Sequence, residues 1–160
     1  MGFDIEEGDI FYDSASPFEF TDILNSTKQE PHKVFGTLVL PEEEKESYPL
    51  VVCMHGSMGW GISSQDHSVN FLNNGFAIFK VHSFESRNVK TIYQDQMQVT
   101  VAMSLNDCYE ALKLLKTHPK IEKDNIFIAE SGIKNRKDID TLVSNGICLL
   151  YTSPSPRDSV

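Results

Sequence analysis

Pro49-Leu50-Val51-Val52-Cys53-Met54-His55-Gly56-Ser57-Met58-Gly59-Trp60-Gly61 is the stretch on which the fold is decided. Its first six residues are a continuous apolar run. Such a run fits a strand buried on both faces, as in a parallel sheet. The glycine-rich stretch behind it cannot continue the strand. A glycine there lets the chain turn sharply and expose backbone N–H groups. Preorganised N–H donors are what an acyl-transfer enzyme needs around a developing oxyanion. The N–H of Ser57 is the candidate donor, with Met58 as the alternative.

Upstream, Lys33 to Leu40 is rich in β-formers and is ended by Pro41, and Glu42 to Ser47 reads as a charged loop. Downstream, Ser64 to Asn74 is predicted helical, with Val69 and Leu72 facing inward and Asn74-Gly75 as a stop signal. Phe76 to Val81 is a second apolar strand. A longer helix is predicted from about Asp95 to His118. There Val101, Leu105, Cys108, Leu112 and Leu115 recur at spacings of four and three, which puts them on one stripe. Pro119 lies beyond its end, and Asn125 to Ala129 is a third buried-type strand. Strands alternating with helices imply an α/β fold with a mostly parallel sheet, flanking helices and right-handed crossovers. Phe11-Tyr12 and Phe18-Glu19-Phe20 read as edge strands or a lid segment.

Composition narrows the partners. The chain has 160 residues, 14 Lys+Arg against 23 Asp+Glu, and a formal net charge of −9. That balance argues against nucleic acid or an anionic membrane surface as a partner. No apolar run approaches the roughly 18 residues of a membrane span. The start, Met1-Gly2-Phe3-Asp4-Ile5-Glu6-Glu7, lacks the positive charge and apolar run of a signal peptide, so a cytoplasmic location is expected. Cys53, Cys108 and Cys148 form no C-x-x-C pair and read as reduced, buried thiols. His67, His82 and His118 lack metal-ligand spacing and read as structural or exposed. No metal and no cofactor is expected.

Several segments together resemble the dienelactone hydrolase family of α/β-hydrolases. They are Pro49 to Gly56, Phe71-Leu72-Asn73-Asn74-Gly75-Phe76-Ala77, Ser83-Phe84-Glu85-Ser86-Arg87, Ala111 to Ile121, and Asp124-Asn125-Ile126-Phe127-Ile128-Ala129. The resemblance covers roughly Val34 to Ala129. It implies a truncated α/β-hydrolase fold and hydrolysis of a small ester or lactone by a Ser (or Cys)-His-Asp triad. It also implies that His55 shapes the oxyanion loop. Arg87 matches a region where some members hold a substrate carboxylate; without the resemblance it reads as a solvated surface arginine. The best-known members carry a Glu where Gly56 stands.

The family's nucleophile sits on a strained turn of the form G-x-S-x-G or G-x-C-x-G. Here the turn reads Ala129-Glu130-Ser131-Gly132-Ile133, without either flanking glycine. The side chains at those positions crowd the elbow, so Ser131 is a poor nucleophile and no triad is assigned. The chain is expected to be inactive as written. From Ile128 to Ile147 the sequence instead resembles indole-3-glycerol-phosphate synthase, a barrel lyase in which the residues matching Glu130 and Ser131 serve catalysis and substrate binding. Residues 148–158 resemble one reading frame of a sequencing adapter. The expected organisation is a hydrolase portion at 1–129, a foreign fragment at 130–147 and a loosely placed tail at 148–160. Other functions consistent with the sequence are a barrel-lyase fragment and a non-catalytic α/β module.

Overall fold

The computed structural model describes residues 7–25, 28–130 and 149–150. Along the chain run β1 (Gly8–Ser14), α1 (Phe20–Ile23), β2 (His32–Val39), β3 (Tyr48–Met54), α2 (Ile62–Asn73), β4 (Ala77–Val81), a 3₁₀ turn (Glu85–Arg87), α3 (Val101–Leu115), β5 (Ile121–Glu130) and β6 (Leu149–Leu150). The strands form one mixed sheet in the order β1-β2-β4-β3-β5-β6. β3 pairs parallel with β4 and with β5, and β5 with β6. β1 and β2 add an antiparallel margin on the β4 side.

The apolar run of β3 is explained by what covers it. Leu50 and Val52 pack in one cluster with Cys108, Ala111 and Leu115 of α3. Val51 and Cys53 pack in another with Phe71 of α2 and with Phe76 and Ile78. The two helices therefore lie on opposite faces, and neither side of the strand has room for a polar residue. The chain passes from β3 to β4 on one side and then crosses back over β3 to β5 on the other. Connections that diverge from one strand open a crevice at its carboxyl end, and His55 begins there. At the β2–β4 contact, a Cβ on Gly36 would lie 2.3 Å from the ring of Phe79 and 2.8 Å from the Lys80 carbonyl oxygen. Only glycine lets the antiparallel strand lie this close.

Both helices are rotated from the sequence expectation. In α2, Val69 is exposed, while Ser68 and Phe71 are buried and Leu72 is half-buried. α3 starts at Val101, where the Thr100 hydroxyl accepts from the Met103 N–H at 3.3 Å. Val101 itself is exposed, and the buried stripe holds Ala102, Met103, Asn106, Asp107, Cys108, Ala111 and Leu115. Two polar residues in that stripe displaced the expected pattern, because apolar periodicity counts them as outward. Phe11-Tyr12 lies in edge strand β1, as one of the expected alternatives. Phe18-Glu19-Phe20 is not an edge strand. It enters the short helix α1, where the Glu19 N–H donates to the Asp22 carboxylate at 2.9 Å.

Ile128, Ala129 and Glu130 are in register with Val52, Cys53 and Met54. They belong to the open sheet of the preceding strands, and among the described residues that sheet does not close into a barrel. Leu149 and Leu150, expected in a loose tail, pair with Ile128 and Ala129. Ser131, the rest of the synthase-like segment to 148, and 151–160 lie outside the described residues.

Candidate active site

The 55–61 loop leaves β3 at its carboxyl end. His55 is buried, and its Nδ1 lies 3.1 Å from the Gly56 carbonyl oxygen. A carbonyl only accepts, so Nδ1 carries the proton and bends the chain back on itself. The ring is enclosed edge-on by Phe84 at 4.2 Å and Trp60 at 5.3 Å. Burial pushes the imidazole below its ordinary pKa, which keeps it neutral. Nε2 is then a buried acceptor without a hydrogen-bond partner among the described residues.

Past His55 the loop is stapled to the chain that precedes α3. The Ser57 carbonyl accepts from the Ile92 N–H and from the Thr91 hydroxyl, both at 3.0 Å. The Gly59 N–H closes a turn onto the Gly56 carbonyl at 2.9 Å. Gly59 has φ 75°, and a Cβ there would press on the Lys90 carbonyl at 3.0 Å, so both conformation and space call for glycine. Trp60 turns inward, and its Nε1–H donates to the Val81 carbonyl at 3.1 Å. Ser57 and Met58 are left exposed at the tip. A loop fixed at both ends, with its tip open, can hold main-chain N–H groups toward a negative oxygen without reorganising.

Arg87 is neither a solvated surface residue nor open to a substrate. It is buried beside the fully buried Asp107. Nη1 meets Asp107 Oδ2 at 2.7 Å and Nη2 meets Oδ1 at 3.0 Å. The remaining three N–H groups reach the Ser83 carbonyl, the Ala15 carbonyl and the Ser16 hydroxyl. All five donors are spent inside the protein, so a substrate carboxylate would have to displace one. Ser14 adds a 2.6 Å hydrogen bond to Asp107, and the Tyr12 hydroxyl donates to the Asp107 carbonyl at 2.9 Å. Burial, with Asp107 beside it, pushes the Tyr12 phenol well above its ordinary value, so it stays a donor. The sequence offered no hint of this knot, since its members lie between 20 and 95 residues from Asp107.

The other titratable candidates are also placed. His82 follows β4, with Nε2 2.9 Å from the Thr37 hydroxyl and Nδ1 3.6 Å from Glu85. His118 is buried and accepts from the Lys120 N–H at 3.1 Å. The side chain of His67 lies outside the described residues. The Cys53 thiol is buried, which pushes it up to about 12, so it is no nucleophile at neutral pH. Cys108 is buried, and Cys148 lies outside the described residues. Among the described residues no cluster of His, Cys, Asp and Glu could hold a metal ion. Nor is any described helix long and apolar enough to cross a membrane. An apolar cleft of about 420 Å³, lined by Phe18, Phe20, Thr100 and Val101, opens beside the amino end of α3.

No protein-family model matches the chain, and no curated protein matches it. Solved structures do. A candidate dienelactone hydrolase from Klebsiella pneumoniae subsp. pneumoniae MGH 78578 superposes with a TM-score of 0.51 at 13% identity, over 76% of this chain and 49% of that one. Est1E from Butyrivibrio proteoclasticus, with ferulic acid bound, gives 0.52 at 15% identity over 73% and 47%. Esterase Est22 with p-nitrophenol gives 0.51 at 16% over 88% and 40%. At such identities the likeness is one of fold: the sheet and its helices match part of an α/β-hydrolase. The chain spans less than half the length of each of these structures.

Proposed function

We propose that the chain carries the oxyanion-binding part of an α/β-hydrolase of the dienelactone hydrolase type, whose substrate class is a small carboxylic ester or lactone. One observation carries this reading: a pinned glycine-rich loop stands at the carboxyl end of the central strand β3, in register beside the end of β5. Glu130 sits opposite Met54, one residue before His55. A nucleophile carried on the turn after β5 would therefore face the 55–61 loop across neighbouring strands. In that arrangement the N–H of Ser57, or of Met58, stabilises the tetrahedral oxyanion, and water resolves the acyl-enzyme.

The same reading makes this polypeptide inactive as written. Ala129 and Ile133 stand where the elbow needs glycines, which makes Ser131 a poor nucleophile. The reading of 130–147 as a foreign fragment, and of 148–158 as adapter-encoded, rests on sequence alone, as does the cytoplasmic location. Amplification of uninterrupted source DNA across the codons for Lys120 to Cys148 would remove the first two.

Two measurements test the function. Methylphosphonate, a small tetrahedral anion, should shift the backbone amide resonances of Ser57 and Met58. Unmoved amides would remove the oxyanion assignment. Hydrolysis of p-nitrophenyl acetate should stay at background in the native chain and in Ser131→Ala alike; turnover lost on that substitution would overturn the inactivity.

A further inference from the structure

Proton counting around His82 gives an assignment that the overall likeness to hydrolases does not. The Thr37 hydroxyl donates to Asp9 Oδ1 at 2.7 Å. A hydroxyl has one hydrogen, so at 2.9 Å the same oxygen must accept from His82 Nε2–H. In a neutral ring Nδ1 is then bare. That atom is buried without a hydrogen-bond partner and faces Glu85 Oε1 at 3.6 Å. A lone pair set against a carboxylate is repulsive, whereas a second proton makes Nδ1 a donor aimed at an acceptor. The ring stacks on Phe35 at 4.6 Å, nearly parallel, and meets Trp60 at 6.2 Å. Aromatic neighbours of this kind attract a cation.

We propose that His82 is a positioning residue of the oxyanion loop, acting as an imidazolium that bridges Thr37 to Glu85 and holds the 84–87 turn against His55 and Trp60. The inference rests on the oxyanion reading of that loop. The charged groups around the ring are Asp9 from β1, Glu85 from the turn, Lys80 from β4 and His55 from the end of β3. Lys80 Nζ lies over the ring of Trp60, 5.6 Å from the centroid. His55 is kept neutral by burial and adds no opposing charge. Mechanical coupling is short. The Ser86 N–H donates to the His82 carbonyl at 3.0 Å, and Phe84, between them, is the residue packed edge-on to His55. Trp60 is anchored on Val81, the neighbour of His82.

Trp60 is the only tryptophan of the chain, so its indole N–H gives one identifiable NMR cross-peak. The test follows that peak and the Ser57 and Met58 amides in the full chain from pH 8 to pH 5. All three should move together in a single titration. His82→Gln should abolish the movement, and Glu85→Gln should cut its amplitude at least by half. Glu85 is exposed, so its variant answers the question even if His82→Gln fails to fold. A motionless Trp60 peak, or an unchanged titration in His82→Gln or Glu85→Gln, overturns the proposal. No hydrolysis enters this readout. Failure of methylphosphonate to bind would remove the oxyanion reading while leaving the His82 bridge measurable by itself.

Discussion

Two sets of buried polar groups share this sheet and differ in one respect. The Arg87–Asp107 knot is closed: five guanidinium donors and both carboxylate oxygens have partners within the protein. The His55 ring is open: its Nε2 is buried without a hydrogen bond among the described residues. Burying a polar atom unpaired is costly, and a fold selected for stability alone would pair or remove it. The closed network marks structure here, and the open nitrogen belongs to His55, in the loop at the carboxyl end of β3.

If that contrast is right, the largest loss of stability comes from opening the closed set. Arg87→Ala leaves the Asp107 carboxylate buried and uncompensated, and should cost about 3–5 kcal/mol in urea unfolding. Arg87→Lys should recover less than half of that, because an ammonium cannot supply a planar fork of five donors. A cost for Arg87→Ala near zero would break the contrast, since Arg87 would then be held for a purpose other than stability. A smaller effect is expected at the margin of the knot. Tyr12→Phe removes the hydroxyl bonded to the Asp107 carbonyl and should cost about 1 kcal/mol by the same measurement.

The smallest effect sharpens the open side, and its sign follows from burial. His55 has its folded-state pKa pushed below the ordinary 6.5. As pH falls from about 7 through 6.5, the unfolded chain takes up a proton that the folded chain refuses. Stability contributed by neutral His55 is thus complete above that range and is lost toward its lower folded pKa. Unfolding free energies at pH 7.5 and pH 5.5 should differ less in His55→Asn than in the native chain. An equal difference in both would show that His55 is not excluded from protonation.

What could be read in the sequence follows from what periodicity registers. The apolar strands β3, β4 and β5 are visible because each is covered on both sides, and the 55–61 loop because its glycines interrupt such a strand. The rotation of α3 is invisible because Asn106 and Asp107 are polar residues facing inward, and their reason for doing so lies in β1 and the 3₁₀ turn. Arg87 was misplaced for the same cause: its partners Ala15, Ser16 and Asp107 are brought to it only by the tertiary fold. His82 gives no local signal either, since its significance depends on Thr37 having a single hydrogen, already promised to Asp9.

The knot also sets a sequence of events in time. β1 can pair with β2 as a local hairpin soon after both are available. The bond from Tyr12 to Asp107 spans 95 residues, and that from Ser14 spans 93. Such distant contacts are entropically late in folding. The amino-terminal hairpin must therefore wait, unlatched, until α3 arrives. During synthesis that interval lasts as long as the ribosome takes to deliver the helix, and through it the β1 margin is open to capture by a neighbouring chain.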